Sequence, residues 1–209
     1  MKFEGITIEN KGHASIKLKN GKTIYIDPFQ LGEEEKADII LITHGHYDHC
    51  SIEDIKKLST GQTTIVITPD CQSKLPPGRV KAGDIKIMRP GMQLNIDGIN
   101  IEALPAYNIS KDFHQKAEEW VGYVVTVNGK KVYHAGDTDF IPEMKALKGI
   151  DVALLPVGGT YTMNAEEAAR AANAIRPKLA IPMHYGKIVG SRKDAETFRK
   201  LCKARTEIL

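Results

Sequence analysis

The sequence predicts an α/β chain in which strands outnumber helices. Short β-branched runs such as DIILIT (38–43) and TTIVIT (63–68) have the length and composition of buried strands. Runs with helical apolar spacing open on capping residues such as Ser51 and Asn164. The most informative motif, HGHYDH (44–49), begins where DIILIT stops. That is the strand edge at which open α/β sheets gather their ligands.

The first third reads as strands. ITIEN (6–10), ASIKLKN (14–20) and KTIYIDPF (22–29) alternate or run apolar, and Asn20-Gly21 is a hairpin signal between the last two. DIILIT follows. SIEDIKKLS (51–59) predicts a helix: Ser51 is the N-cap, Asp54 holds the capping-box position, and Ile52, Ile55 and Leu58 share one face. TTIVIT returns to a buried strand. Between Arg79 and Leu104 a series of short strands is expected, broken at Gly83, Gly91 and Asp97-Gly98. From Pro105 to Trp120 no period holds, and PAYNISKDFHQKAEEW reads as a loop long enough to suggest function. WVGYVVTVNGKKVYHAGD (120–137) predicts a second hairpin around Asn128-Gly129. DVALLPVGG (151–159) is a strand. Asn164 caps a helix through Ile175, with Glu167 in the capping-box position. KLAIPMH (178–184) is a strand and SRKDAETFRKLCKAR (191–205) a terminal helix.

A chain of 209 residues suits one domain over 1–209. Its halves look alike, each running strands and then alternating helix and strand, which suggests an internal duplication that no sequence repeat supports. With 42% hydrophobic and 26% charged residues, a packed core is expected and disorder is not. A net charge of +3, with Lys and Glu interspersed, falls short of a nucleic-acid binder. Three cysteines, Cys50, Cys71 and Cys202, lack CxxC spacing. Neither a disulfide framework nor a thiolate zinc site is expected, and a cytoplasmic setting fits. No apolar stretch suggests a signal peptide or a membrane span.

Polar residues gather at strand ends: His44, His46, Asp48 and His49 in the first motif, Asp137 in VYHAGD, and His184 in AIPMHYG. Imidazole and carboxylate are donors for a divalent transition metal, and burying so many without one is costly. His13 reads as structural, with a place lining the cleft as the alternative; His134, in an alternating strand, reads as structural or as a support behind a metal ligand. Cys50 reads as a small buried residue. Gly158-Gly159 reads as a tight turn, with backbone capture of an anion as the alternative. Lys187 is either a surface lysine or an anion contact.

GHASIKL, IDPF, HGHYDH, HAGDTD and PMHYG together resemble the metallo-β-lactamase superfamily, most closely the branch containing ascorbate-6-phosphate lactonase and related uncharacterised metal-dependent hydrolases. The resemblance covers nearly the whole chain. It implies an αββα sandwich, two facing β-sheets with helices outside. It also implies His44 and His46 on one metal, Asp48, His49 and His184 on a second, Asp137 bridging, and Asp27 bracing the metal loops. One histidine of the family pattern is absent, and Asn108 stands in its place. His114, six residues on, is the expected replacement; the alternatives are Asn108 itself or an open position.

The expected cofactors are one or two divalent transition metal ions, with zinc first and manganese, nickel or iron as alternatives. The expected reaction is hydrolysis of a small, anionic ester, lactone or phosphodiester by a metal-bound hydroxide, with Asp48 both ligating and orienting the water. A ribonuclease or phosphodiesterase acting on nucleic acid is the alternative enzyme, and a metal-dependent binding protein the non-catalytic one. Di-iron redox relatives place Glu where His46 stands.

Overall fold

The computed structural model describes residues 1–209. Two seven-stranded mixed sheets form the centre. The first runs in sequence order through β1 (Lys2–Phe3), β2 (Ile6–Gly12), β3 (Ser15–Asn20), β4 (Lys22–Ile26), β5 (Ile39–Leu41), β6 (Thr64–Ile67) and β7 (Asp84–Ile87). The second holds β8 (Gln93–Ile96), β9 (Ile99–Pro105), β10 (Val121–Val127), β11 (Lys130–His134), β12 (Val152–Pro156), β13 (Leu179–Met183) and β14 (Arg205–Thr206), also in sequence order. In both sheets the first four strands pair antiparallel and the last three join in parallel. The resemblance between the halves is therefore topological: the two sheets share strand order and sense.

Side-chain alternation sorts the first sheet between two cores. Ile24, Ile26, Ile39, Leu41 and Val66 join the large core shared with the second sheet, through residues such as Ile101 and Val125. Tyr25, Ile40, Ile42, Ile65 and Ile67 point the other way, where α1 (Ile52–Leu58) covers them with Ile55 and Leu58. On the second sheet, α2 (Ala165–Ile175) packs on β12 and α3 (Arg192–Leu201) on β13. Five alanines of α2, Ala165, Ala168, Ala169, Ala171 and Ala172, are buried, so the helix can lie close. The result is the αββα sandwich that the resemblance implied.

Hydrogen bonds cross between the halves at the end of β5. Val121 N donates to Thr43 O (3.1 Å) and the buried Tyr123 hydroxyl to Ile42 O (2.8 Å). His134 Nε2 donates to Ala14 O (2.8 Å), and its Nδ1 accepts from Gly136 N (3.2 Å). Both nitrogens are satisfied, in accord with a structural role.

Turn chemistry matches the sequence where it is local. Asn128 and Gly129 both have positive φ, 51° and 71°, which a type I′ turn requires. Asp97 and Gly98 repeat this at 49° and 84°, making a hairpin where only a break was expected. Elsewhere tertiary contacts change the expectation. Arg79–Gly83 holds no strand, and the short strands that follow divide between the sheets. Neither predicted capping box closes. The Asp54 carboxylate accepts instead from the Ser51 hydroxyl (2.6 Å), Gln30 N (2.8 Å) and Leu31 N (3.0 Å), while Glu167 accepts from Phe140 N (3.0 Å). The terminal helix stops at Leu201, short of the expected Arg205, because Asn173 of α2 captures the chain. Its Nδ2 donates to Leu201 O (3.2 Å) and its Oδ1 accepts from Lys203 N (2.7 Å). The residues beyond then add β14 to the sheet.

Asp54 is buried, which opposes its charge, yet Ser51, Leu31, Gln30 and Lys57 outweigh burial and hold its carboxyl below the usual range. A depressed folded pKa gives stability that is present above the unfolded value and lost as pH falls through the folded one. Asp54→Ala should therefore cost about 2–3 kcal/mol at pH 7 in chemical denaturation. The gap from the parent protein should narrow below about pH 4.

Candidate metal centre

The first half contributes the loop after β5. Asp27 directly follows β4 with φ 48°, and this left-handed turn aims its carboxylate at that loop. It accepts from Thr43 N (2.8 Å), Thr43 Oγ1 (2.6 Å) and His49 Nδ1 (2.7 Å). The Thr43 proton being spent on Asp27, His44 Nδ1 donates to Thr43 Oγ1 (3.0 Å). A second brace holds Gly45, whose N donates to Asp70 Oδ2 (2.8 Å) and whose carbonyl takes the Lys74 ammonium. A Cβ at Gly45 would meet the Asp70 carboxylate, so a larger residue there would displace this brace.

The second half contributes Asp137, His114 and His184. Asp137 follows β11 through Ala135 and Gly136 and is buried. Its Oδ2 lies 3.1 Å from His184 Nε2 and 3.2 Å from His114 Nε2, and its Oδ1 lies 3.4 Å from His49 Nε2. His114 projects from the irregular segment into the cluster. Its Nδ1 lies 3.1 Å from both Asn108 Oδ1 and Tyr161 O. Asn108 does not face the cluster: its Nδ2 donates to Asp139 Oδ1 and Tyr161 O, each at 3.0 Å. The asparagine orients His114, so of the two candidates for the missing family position it is His114 that approaches.

His44, His49 and His114 each commit Nδ1–H to an oxygen, which turns Nε2 inward toward the centre. Nitrogens of His44, His46 and His114 lie within 4.8 Å of one another. The same limit encloses a second set of His13, Asp48, His49 and His184, and a third of His44, His49 and Asp137. All seven residues singled out from the sequence therefore converge, with Asp137 between the two larger sets. His13, taken as structural from sequence, joins them. Its Nε2 lies 2.9 Å from Asp48 Oδ2, and its ring centroid is 3.9 Å from that of His184. The β2–β3 turn makes this approach, with positive φ at both Gly12 and His13. Trp120, also missed, packs its ring 4.8 Å from those of His44 and His46.

Other candidates lie outside the cluster. Cys50 packs with Cys71 in the smaller core. The Lys187 ammonium sits 6.0 Å over the Phe29 ring. Gly159 N is committed to Met163 O (3.0 Å), as in a tight turn.

The arrangement fits a divalent cation. His49 Nε2, His114 Nε2, His184 Nε2 and Asp137 Oδ1 are buried without a hydrogen-bond partner. Such groups are costly unless something coordinates them. Burial opposes the Asp137 charge, but His184 and His49 outweigh it and hold the carboxyl well below the carboxylate range. Burial likewise opposes charge on His49, and Asp137 and Asp27 overcome it, pushing its pKa well up. His44 goes down, chiefly through burial and then through His49. The cluster thus attracts positive charge, and its nitrogen and oxygen donors suit zinc or a similar ion.

Asp27→Asn should lower unfolding stability by about 2–3 kcal/mol, because one buried carboxylate serves three donors and the amide can serve fewer. Equilibrium denaturation checks this, and a change under about 0.5 kcal/mol would contradict the bracing role.

Comparison with known proteins agrees with the geometry. The family profile described as "Beta-lactamase superfamily domain" matches residues 7–184. A UPF0173 metal-dependent hydrolase of Thermoplasma acidophilum is 37% identical, over 95% of this chain and 92% of the relative. Another, from Thermococcus onnurineus, is 35% identical over the same shares, 95% and 92%. A solved structure from Parabacteroides distasonis superposes with TM-score 0.86 at 35% identity, covering 97% of this chain and 92% of that one. A metallo hydrolase from Ignicoccus hospitalis gives TM-score 0.77 at 25% identity, covering 98% and 94%. With strand order, sandwich and strand-end histidines all in place, this chain belongs to the β-lactamase superfamily domain family.

Proposed function

We propose that the chain is a metal-dependent hydrolase acting on a small molecule with an ester, lactone or phosphodiester bond. The observation that carries this is the set of buried, inward-facing donors without partners: Nε2 of His49, His114 and His184 with Oδ1 of Asp137. His44, His46 and His114 would hold one cation, and Asp48, His49 and His184 a second, with Asp137 between them. The names of the hydrolase relatives and the all-nitrogen-and-oxygen donor set support the reading, with zinc first among the metals. Cations held there would supply Lewis-acid polarisation of the oxygen under attack and activation of a water as nucleophile.

The remaining work falls to the chain's own groups. Burial opposes ionisation of Asp48, but His13 and His49 outweigh it and hold the carboxyl below its usual range. Asp48 is therefore a carboxylate at neutral pH, able to orient a water and accept its proton. His13, hydrogen-bonded to Asp48 Oδ2 at 2.9 Å, fixes its direction. Asn108 and Tyr161 fix His114 in the same way. The small cavity above the cluster, about 200 Å³, suits a small substrate better than a structured nucleic acid. The three unpaired cysteines favour a reducing compartment such as the cytoplasm, and no helix is long and apolar enough to cross a membrane.

Purified protein should carry one or two equivalents of a divalent transition metal by elemental analysis. Chelation should lower its melting temperature by linkage, and zinc should restore it. A native protein indifferent to chelator and to added zinc, manganese, nickel or iron would end this reading. Asn108→Ala should weaken the affinity of one metal equivalent about 10–100-fold, as loss of an orienting partner does elsewhere. Asp48→Asn should lower kcat/KM on any hydrolysed substrate by about 100-fold or more. Turnover of small phosphodiesters and lactones should exceed that of RNA; strong preference for RNA, with steeply salt-dependent binding, would move the assignment to a nuclease.

A further inference from the structure

Large hydrophobic side chains exposed to water are few in this protein, and three of them meet at one place. Tyr47 (66% exposed), Phe113 (49%) and Ile188 (39%) line the cavity above the Asp137 cluster, and Tyr161 completes its wall. They come from three separate segments: the HGHYDH loop, the 105–120 loop and the stretch after β13. Their convergence is therefore a property of the fold. Exposed apolar groups gathered in one concave patch mark a surface that something covers.

The walls are braced. Phe113 meets Tyr161 edge to face, with centroids 4.7 Å apart and planes at 87°. Tyr47 meets Phe29 in the same manner at 5.9 Å and 76°. Such pairs hold rings in fixed orientations. No lysine or arginine lines the cavity. Lys111 is drawn to the buried Asp139 carboxylate, and Lys187 lies over Phe29 beside a different depression. The polar groups at the floor are those of the cluster itself. A negative charge on the ligand thus has a counter-charge only at the metal positions, and the part that meets the walls is uncharged. Size narrows this further. A protein cavity of about 150 Å³ holds one benzene ring, so about 200 Å³ holds a single ring-sized group beside a scissile centre.

We propose that the substrate carries an uncharged, ring-sized apolar group close to its scissile carbonyl or phosphoryl centre, seated against Tyr47, Phe113, Tyr161 and Ile188. This rests on the hydrolase reading above and specifies its substrate class. The chemistry is hydrolysis throughout. The oxygen of water bonds to the acyl carbon or phosphorus, the ester C–O or P–O bond breaks with its electron pair going to the leaving oxygen, and that oxygen takes a proton.

The test uses the full-length, zinc-loaded protein and substrate pairs with one leaving group. p-Nitrophenyl phenyl phosphate is compared with p-nitrophenyl methyl phosphate, and p-nitrophenyl phenylacetate with p-nitrophenyl acetate. The phenyl member of at least one pair should be favoured in kcat/KM by about tenfold or more, within the range that apolar pockets supply. Phe113→Ala and Ile188→Ala should each cut that ratio to about threefold or less, with metal content unchanged. Equal efficiencies within both pairs would overturn the inference, as would rim variants that lower both members by the same factor. If no substrate turns over, the hydrolase reading fails, and binding then decides the inference separately. Calorimetry should show benzylphosphonate bound about tenfold tighter than methylphosphonate, with the difference lost in Phe113→Ala. Equal affinities overturn the inference.

Discussion

The carboxylate of Asp137 is the point on which the rest of the molecule depends. It is buried, and three imidazole nitrogens from different segments lie 3.1–3.4 Å from its oxygens. A buried anion is tolerable only where positive charge compensates it. The surrounding histidines and any cation they hold supply that compensation. The rest of the site follows from this need. Asp27 fixes His49, Asn108 and Tyr161 fix His114, and Thr43 fixes His44, each by occupying the ring nitrogen that faces away from the centre.

The architecture delivers these groups through symmetry of construction. Each sheet begins as an antiparallel meander and ends in parallel strands joined through crossovers. Parallel strands end on one edge, so polar residues placed after them gather there. The HGHYDH loop follows a central strand of the first sheet, and Asp137 and His184 follow β11 and β13, the two strands that flank β12 in the second. Packing the sheets face to face brings both edges to one mouth. One strand-end loop from the first half and two from the second then suffice to build most of the donor cluster, with the β2–β3 turn adding His13 and the irregular 105–120 segment adding His114.

How legible this was in the sequence depended on the range of the interactions concerned. HGHYDH stood out because its residues are adjacent and end an apolar run. Asp137 and His184 were readable only with it, since each alone resembles an ordinary strand-end residue. His114 was visible as the sole histidine of an aperiodic segment, but the reason it works, the Asn108 side chain behind it, is a contact no spacing reveals. His13 was readable only as a possible cleft residue, because its approach to Asp48 depends on a left-handed turn and on the packing of the sheets. The same physics explains the fold. Local turn chemistry at Asn128-Gly129 was sufficient in itself. By contrast, Asp54 and Glu167, which fit a local capping rule, are used for tertiary contacts to Gln30, Leu31 and Phe140. The two-residue β14 carries no pattern at all; it exists because Asn173 redirects the chain.

The hydrogen bond from His184 N to His13 O (2.8 Å), with that from His134 to Ala14 O, ties the first hairpin to the far end of the chain. This has a bearing on biogenesis. During synthesis the amino-terminal half emerges first, bearing only His13 and the four side chains of the 44–49 loop, while the carboxylate between the sets and two of the histidines are still to come. A cation met at that stage finds an incomplete nest. The donor set is complete only once residue 184 is docked, so the finished nest is among the last things the chain builds.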